Sequence, residues 1–140
     1  MTTLTPALVV ANLNKTIATA EHSLTILQQI DLRIEQGATV AIVGSSGSGK
    51  STLLGLLAGL DTPTSGSIQL LGHELTTLSE DQRANLRQQY VGFVFQSFHL
   101  LPHLTALENV LLPLSLSNNT DSAWAKQCLE QVGLGHRLPY

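Results

Sequence analysis

The chain has 140 residues, of which 43% are hydrophobic and only 12% are charged, so it is rich in residues that form an interior and is predicted to fold rather than stay disordered. Seven basic residues against ten acidic ones give a net charge of −3, which argues against a nucleic-acid partner. The single cysteine, Cys128, excludes an internal disulfide framework.

Three segments before residue 44 are predicted to be strands. Residues 7–13 form a short apolar run, and residues 30–34 alternate apolar with polar side chains, as an antiparallel strand with one buried face does. Residues 39–43 are apolar without alternation, which a strand buried on both faces requires. The polar stretch 14–23 is predicted to be a loop, and Gln36-Gly37 a turn.

A glycine-rich segment, a helix and a strand are predicted next. Residues 44–49 hold three glycines, and the Leu-rich run 50–60 that follows contains no proline, so we expect a buried helix there. Residues 62–66 are a turn cluster, and residues 67–71 are predicted to be a strand that Gly72 ends.

Two later helices begin at sequences with capping-box spacing. Ser79 and Gln82 predict a helix to about residue 89, which the apolar strand 91–95 would follow. Thr105 and Glu108 predict a second helix, which Pro113 should end or kink. After a predicted loop at 117–120, an apolar stripe indicates a last helix with Gly133 just beyond its end. The stripe consists of Trp124, Ala125, Cys128, Leu129 and Val132, and Trp124 and Cys128 are interpreted as its core residues.

The residues Gly44-Ser45-Ser46-Gly47-Ser48-Gly49-Lys50-Ser51 match the spacing G-x-x-x-x-G-K-[ST] in full. Phosphate oxygens need donors on several sides, and glycines let successive backbone N–H groups turn inward while the next helix adds its unpaired N–H groups. We expect Lys50 to reach the β- and γ-phosphates, Ser51 to ligate Mg²⁺, and Thr52 to bond the α-phosphate. The alternative is an incidental glycine-rich turn, which the complete motif and its flanks disfavour.

Beyond this motif, the sequence resembles the ATP-binding subunit of an ATP-binding-cassette (ABC) transporter, most closely the branch that serves lipoprotein release and macrolide export. The resemblance rests on the loop with its continuation Thr52-Leu53-Leu54, on residues 57–68 and on residues 91–110. It implies an α/β fold, with a P-loop NTPase core, an N-terminal antiparallel β subdomain and the start of an α-helical subdomain, the whole domain being incomplete. The implied division is 1–95 for the β subdomain and core, and 96–140 for the Gln loop and the helical start.

The same resemblance gives Gln96 a role in holding Mg²⁺ and positioning the attacking water; the alternative is a surface glutamine after an edge strand. The apolar residues that follow would line a groove for a short coupling helix of the membrane subunit, or else pack inside the helical subdomain; they are Phe98, Leu100, Leu101 and Leu104. His99 and His103 lack a third ligand nearby, which argues against a metal site.

The sequence departs from the family in two respects. Members usually stack an aromatic residue on adenine, but residues 12–25 contain His22 as their only ring, so adenine specificity stays open. The 140 residues also contain no Leu-Ser-Gly-Gly-Gln signature, no strand ending in Asp-Glu and no switch histidine. We therefore expect nucleotide binding with negligible turnover by these residues alone, as the N-terminal part of a longer ATPase.

The implied cofactors are ATP and Mg²⁺, and the implied partners are a transmembrane permease subunit and a second ATP-binding subunit in a head-to-tail dimer. The longest apolar stretch, 53–60, is too short to span a bilayer, and no basic residue precedes Lys15 as an export signal would need, so we expect a cytoplasmic protein held at the membrane by its partner. A non-catalytic nucleotide-binding module or an inactive fragment is the alternative. A small-molecule kinase is disfavoured, because only Arg83 and Arg87 could build an arginine-rich lid.

Overall fold

The computed structural model describes residues 4–95, 100–116 and 122–137. The chain divides into two compact units, Met1–Phe93 and Val94–Tyr140. None of the helices in the described ranges has the length and apolar character needed to cross a membrane. The strands and α-helices are, in chain order, β1 Leu8–Ala18, β2 Ser23–Ile34, α1 Lys50–Leu57, β3 Ser65–Leu70, β4 His73–Glu74, α2 Glu80–Tyr90, α3 Ala106–Leu116 and α4 Ser122–Gln131.

The first unit contains one antiparallel sheet with the strand order β2-β1-β3-β4. Val10 of β1 pairs with Leu32 of β2 on one side and with Ile68 of β3 on the other, so β1 is an inner strand. The prediction of a loop over 14–23 is wrong for most of that stretch, because β1 continues to Ala18 and β2 begins at Ser23. A tight turn remains, in which Thr19 N–H donates to the carbonyl oxygen of His22.

β3 and β1 approach each other so closely at Gly66 that no side chain fits there. A Cβ on Gly66 would lie 2.4 Å from the carbonyl oxygen of Asn12, and the φ of Gly66 is +100°. The pairing register of the two strands shifts at this place, between Ala11 and Asn14. The predicted turn at 62–66 therefore overlaps by two residues a strand whose bulge requires glycine.

The core of the first unit lies between the sheet and α1. Leu13 and Leu56 are fully buried at 0% exposure, and Ile68 is nearly so. Truncating a buried leucine of this kind to alanine costs ~2–5 kcal/mol, so these contacts account for much of the unit's stability. The buried cluster consists of Val10, Leu13, Leu27, Leu53, Leu56, Leu57, Ile68, Leu70 and Leu75.

Residues 39–43 and 91–95 are not strands in the structure, so the prediction of a strand is wrong for both, as is the burial on both faces expected of residues 39–43. Val43 is 86% exposed and Val94 is 96% exposed. An apolar sequence becomes a strand only when neighbouring backbone completes its hydrogen bonds, and the sheet that the described residues form ends at β2 and β4. Within the first unit, Val40, Ile42, Val91 and Phe93 line an apolar cavity of about 340 Å³.

The capping boxes predicted for α2 and α3 are both present. Ser79 Oγ accepts from the N–H of Gln82 at 3.2 Å, and Gln82 Oε1 accepts from the N–H of Ser79 at 2.9 Å. Thr105 and Glu108 exchange the same pair of bonds at 3.0 and 3.1 Å. α3 does not end at Pro113 but continues to Leu116, although proline lacks an N–H and its ring crowds the carbonyl group one turn earlier.

α4 buries a narrower stripe than the sequence predicts. Ala125 and Leu129 are buried, whereas Trp124 is 54% exposed, so its interpretation as a core residue is wrong. The end of α4 follows the prediction: Gly133 has φ +81°, its N–H donates to the carbonyl oxygen of Glu130, and Leu134 N–H donates to that of Leu129. These two bonds form a Schellman motif. The predicted loop at 117–120 lies outside the described residues.

Candidate phosphate-binding site

The N-terminus of α1 has no side-chain cap. Its N-cap residue is Gly49, and its first turn contains no acidic residue. By contrast, Ser79 and Thr105 satisfy N–H groups at the starts of α2 and α3. The first N–H groups of any α-helix lack partners within the helix, and at α1 they, with the positive end of the helix dipole, are left for an anion.

Gly49 fixes this end of α1 against β2. Its φ is +91°, and a Cβ there would lie 3.0 Å from Cγ2 of Ile26 and 3.1 Å from Cδ2 of Leu27. Gly47 also has a positive φ, +80°, but faces open space. The two glycines therefore serve different needs: Gly47 permits the loop's turn, and Gly49 in addition permits close contact with the sheet.

Lys50 folds back over the loop that precedes it. Its ammonium donates to the carbonyl oxygens of Gly44 at 2.6 Å and Ser45 at 2.7 Å, and lies 3.4 Å from Ser48 Oγ. None of the ion pairs in the described part of the chain involves Lys50. Its charge is thus held by main-chain dipoles within the loop and is not neutralised by a carboxylate.

The other residues of the motif are a closed loop before Lys50 and two hydroxyl residues after it. The N–H of Ser48 donates to the carbonyl oxygen of Ser45 at 3.1 Å, which closes the loop on itself. Ser46 and Ser51 are exposed, and Thr52 is half-buried in the first turn of α1. Backbone amides and an ammonium are the groups that donate to phosphate oxygens, and a serine hydroxyl oxygen can ligate Mg²⁺, so these residues fit a nucleotide's phosphates with their metal.

Several other residues singled out in the sequence do not belong to this loop. Gln96, Phe98 and His99 lie outside the residues that the structure describes, so their expected roles stay predictions. His22 is exposed in the β1–β2 turn, where its N–H donates to Thr19 Oγ1. In the second unit, Leu100, Leu101 and Leu104 line a cavity of about 260 Å³, and His103 is exposed.

Sequence reasoning missed a cluster of charged residues at the far end of α1. Arg87 Nη1 donates to the carbonyl oxygen of Gly59 at 2.5 Å, and Arg87 Nη2 pairs with Glu80 at 3.1 Å. The hydrogen bond from Arg87 is the main cause that holds the pKa of Glu80 below its ordinary value. Gly59 after a Leu-rich run does indicate a helix end, but nothing local connects it with an arginine 28 residues away.

The chain segment just after α1 is held by a second cation. Lys15 Nζ donates to the carbonyl oxygen of Thr62 at 2.7 Å and lies 3.1 Å from Asp61. The backbone N–H of Thr62 and then the side chain of Lys15 lower the pKa of Asp61. Two cations, from β1 and α2, therefore bind the backbone between residues 59 and 62.

Comparison with known proteins places these features in context. The family model described as "ABC transporter" matches residues 27–139. The chain is 50% identical over 134 residues to the ABC transporter ATP-binding protein YbbA of Escherichia coli (strain K12), covering 94% of this chain and 59% of that protein. It is 52% identical over 132 residues to the lipoprotein-releasing system ATP-binding protein LolD of Xanthomonas euvesicatoria, covering 91% of this chain and 54% of that protein.

Among solved structures, a dimeric post-hydrolysis state of the ATP-binding cassette MJ0796 bound to ADP and Pi matches with a TM-score of 0.86 at 36% identity, covering 94% of this chain and 60% of that one. A second dimeric structure of MJ0796, a bacterial ABC transporter cassette, matches with a TM-score of 0.85. The predicted α/β fold class is thereby confirmed. The chain spans between half and two thirds of the length of the relatives and structures it matches.

Proposed function

Since the chain belongs to the ABC transporter family, whose model matches residues 27–139, we propose that its residues 44–52 bind the phosphates of Mg-ATP and that the bound nucleotide energises transport by a membrane partner. ATP binding is named for the relatives YbbA and LolD, and the MJ0796 structure holds ADP and Pi. These likenesses support the nucleotide class of the ligand.

One observation within this chain carries the proposal. The Lys50 ammonium lies over the loop, bound to the carbonyl oxygens of Gly44 and Ser45, at the start of a helix with no capping side chain. A cation and unpaired helix N–H groups at one place attract a multiply charged anion. We propose that Lys50 exchanges its loop carbonyls for the β- and γ-phosphate oxygens when the nucleotide binds.

The metal would complete this arrangement. We propose that Ser51 and Gln96 hold Mg²⁺, which when bound neutralises phosphate charge. Ser51 is exposed one residue after Lys50, and so its hydroxyl is accessible. Thr52 and the loop residues Ser45, Ser46, Gly47, Ser48 and Gly49 would bind the α- and β-phosphates, mainly through backbone N–H groups.

Hydrolysis and transport are proposed for the whole protein. The relatives are named as ATP-binding proteins of transporters, and both solved structures are described as dimeric, which supports a permease partner and a second ATP-binding subunit. Such a subunit would work on the cytoplasmic side of the membrane, held there by the permease.

Equilibrium dialysis with labelled ATP and Mg²⁺ tests the binding site. The purified chain should bind ATP, and Lys50→Ala should weaken binding ~10–100-fold, because a charged hydrogen-bond donor contributes ~1.5–3 kcal/mol. Lys126→Ala, which removes an exposed lysine of α4, should leave the affinity unchanged. Equal affinities in wild type and Lys50→Ala would contradict the assignment.

The second candidate is a nucleotide-binding module without turnover. It is favoured by the character of the loop, whose donors bind phosphate but include no carboxylate or imidazole that could accept a proton from water. A phosphate-release assay on this chain tests the module: release that Lys50→Ala abolishes would contradict it, whereas ATP binding without release agrees with both candidates, since negligible turnover is expected of these residues alone.

A further inference from the structure

The helix that carries the candidate site is fixed at both ends. At its N-terminus, Gly49 lies in close contact with Ile26 and Leu27 of β2. At its C-terminus, Gly59 N–H donates to the carbonyl oxygen of Leu56 and Leu60 N–H to that of Gly55, which is a Schellman motif. Between these ends, α1 buries Leu53, Leu56 and Leu57 in the core.

The C-terminal fixation depends on one cation from α2. The φ of Gly59 is +77°, and the carbonyl oxygen of this residue accepts from Arg87 Nη1 at 2.5 Å. Arg87 reaches it in a defined orientation because its Nη2 is paired with Glu80, whose other oxygen accepts from Arg83 Nη2 at 2.5 Å. A cation at the C-terminal end of a helix is also favoured by the helix dipole.

An eight-residue helix is ~12 Å long and moves as a rigid rod, so a displacement at one end reaches the other. The phosphate-binding loop runs directly into the first residue of this rod, Lys50. Binding of phosphate oxygens by several donors at once depends on their positions to within ~0.5 Å. The residue that fixes the C-terminus of α1 therefore helps to set the positions of the donors at its N-terminus.

We propose that Arg87 is a positioning residue for phosphate binding, acting through the carbonyl oxygen of Gly59 and the α1 helix on the loop that ends at Lys50. The hydrogen bonds of Arg87 go to the carbonyl oxygen of Gly59 and to Glu80, neither of which belongs to the loop, so its effect on affinity would pass through α1. The inference rests on the proposed function, because it assumes that the loop binds phosphates.

Calorimetric titration with two probes tests the inference: Mg-ATP, and tripolyphosphate, which has no base or sugar. Arg87→Ala should weaken the binding of both by the same factor, about tenfold, since a displaced binding group costs up to ~10²-fold. Arg87→Lys keeps the charge but lacks the two separate donor nitrogens of the guanidinium, and should recover part of the affinity. Arg33→Ala removes an exposed arginine paired with Glu35 and should change neither affinity.

A merely stabilising role of Arg87 would lower the midpoint of unfolding but leave both affinities unchanged well below that midpoint, and this result would overturn the inference. If Arg87→Ala fails to fold by circular dichroism, Glu80→Gln decides, because it weakens the orientation of Arg87 while keeping the arginine. That variant should lose affinity about twofold to threefold for both probes, and an unchanged affinity would overturn the inference.

A wild-type chain that binds neither probe would overturn the proposed function and this inference together, whereas wild-type binding that Arg87→Ala leaves intact overturns only the inference.

Discussion

Gly49 meets Ile26 across the boundary between the glycine-rich loop 44–49 and the sheet: a Cβ on Gly49 would lie 3.0 Å from Cγ2 of Ile26. The start of α1 is thus seated directly on β2, and a side chain at Gly49 would have to displace Ile26 and Leu27 by a few tenths of an ångström.

Gly49→Ala should therefore weaken ATP binding more than Gly47→Ala does. Both substitutions place a side chain at positive φ, which costs ~1–2 kcal/mol, but only the one at Gly49 also pushes against Ile26 and Leu27. Equilibrium dialysis with Mg-ATP measures the difference. Equal losses of affinity would show that the contact with β2 does not shape the site.

Gly66→Ala should destabilise the first unit severely, by about 3 kcal/mol or more, because the new Cβ would lie 2.4 Å from a backbone oxygen of Asn12. Gly37→Ala is its matched control, since Gly37 has a similar positive φ, +81°, but has no atom within 4 Å of the added Cβ. Urea denaturation gives both free energies of unfolding. The prediction fails if the two variants lose the same stability.

Asn109 holds the turn ahead of α3 with its side chain. Its Oδ1 accepts from Leu101 N–H at 2.9 Å, and its Nδ2 donates to the carbonyl oxygens of Leu101, Leu104 and Thr105 at 3.2, 3.3 and 2.9 Å. At a net ~0.5–1.5 kcal/mol for each good bond, Asn109→Ala should cost the second unit ~2 kcal/mol. Hydrogen exchange should speed up at the amide of Leu101, whereas Asn85→Ala on the exposed side of α2 should leave it unchanged.

Glu74 makes the stability of the first unit depend on pH. Burial raises the pKa of Glu74, but hydrogen bonds from Ser67, Thr76 and the N–H of Ile68 outweigh it and hold the pKa below its ordinary value of 4.5. Because the pKa is lower in the folded chain than in the unfolded one, the carboxylate stabilises the fold fully above 4.5, and this contribution is lost as pH falls through the folded pKa.

Glu74→Gln should accordingly lower the free energy of unfolding near neutral pH and flatten its fall in the acidic range. Urea titrations at a series of pH values measure both effects. Glu21→Gln, which changes an exposed glutamate of the β1–β2 turn, should keep the wild-type profile. A Glu74→Gln profile parallel to that of wild type would refute the role of Glu74.

Features encoded within a few residues of sequence could be predicted, and features that depend on distant partners could not. The capping boxes at Ser79 and Thr105 each need only four consecutive residues, and both formed as predicted. The strand prediction for residues 39–43 failed because an apolar sequence favours a buried strand, but a strand forms only where another strand is available to pair with it. The continuation of β1 through residues 14–18 was missed because polar residues on a paired strand resemble those of a loop.

In the candidate site, too, the contiguous part could be proposed from sequence, and the contacts between distant residues could not. The proposed phosphate-binding loop is contiguous, so its residues could be proposed from sequence, and the structure adds that Lys50 binds the carbonyl oxygens of Gly44 and Ser45. The pairing of Arg87 with Gly59 joins two helices that are separate in sequence, and only their packing brings it about. The exposure of Trp124 likewise follows from which face of α4 packs, and the spacing of the stripe alone does not determine that face.

The exposed apolar segment at 39–43 has a consequence for handling the polypeptide. Val40 and Val43 present hydrocarbon to solvent with no charged residue between them. Sulfate and phosphate salts strengthen apolar association, so this chain should precipitate at low ammonium sulfate and adhere to phenyl resin. Dilute buffers of modest ionic strength, with a mild non-ionic detergent, are therefore the conditions that will keep it dispersed.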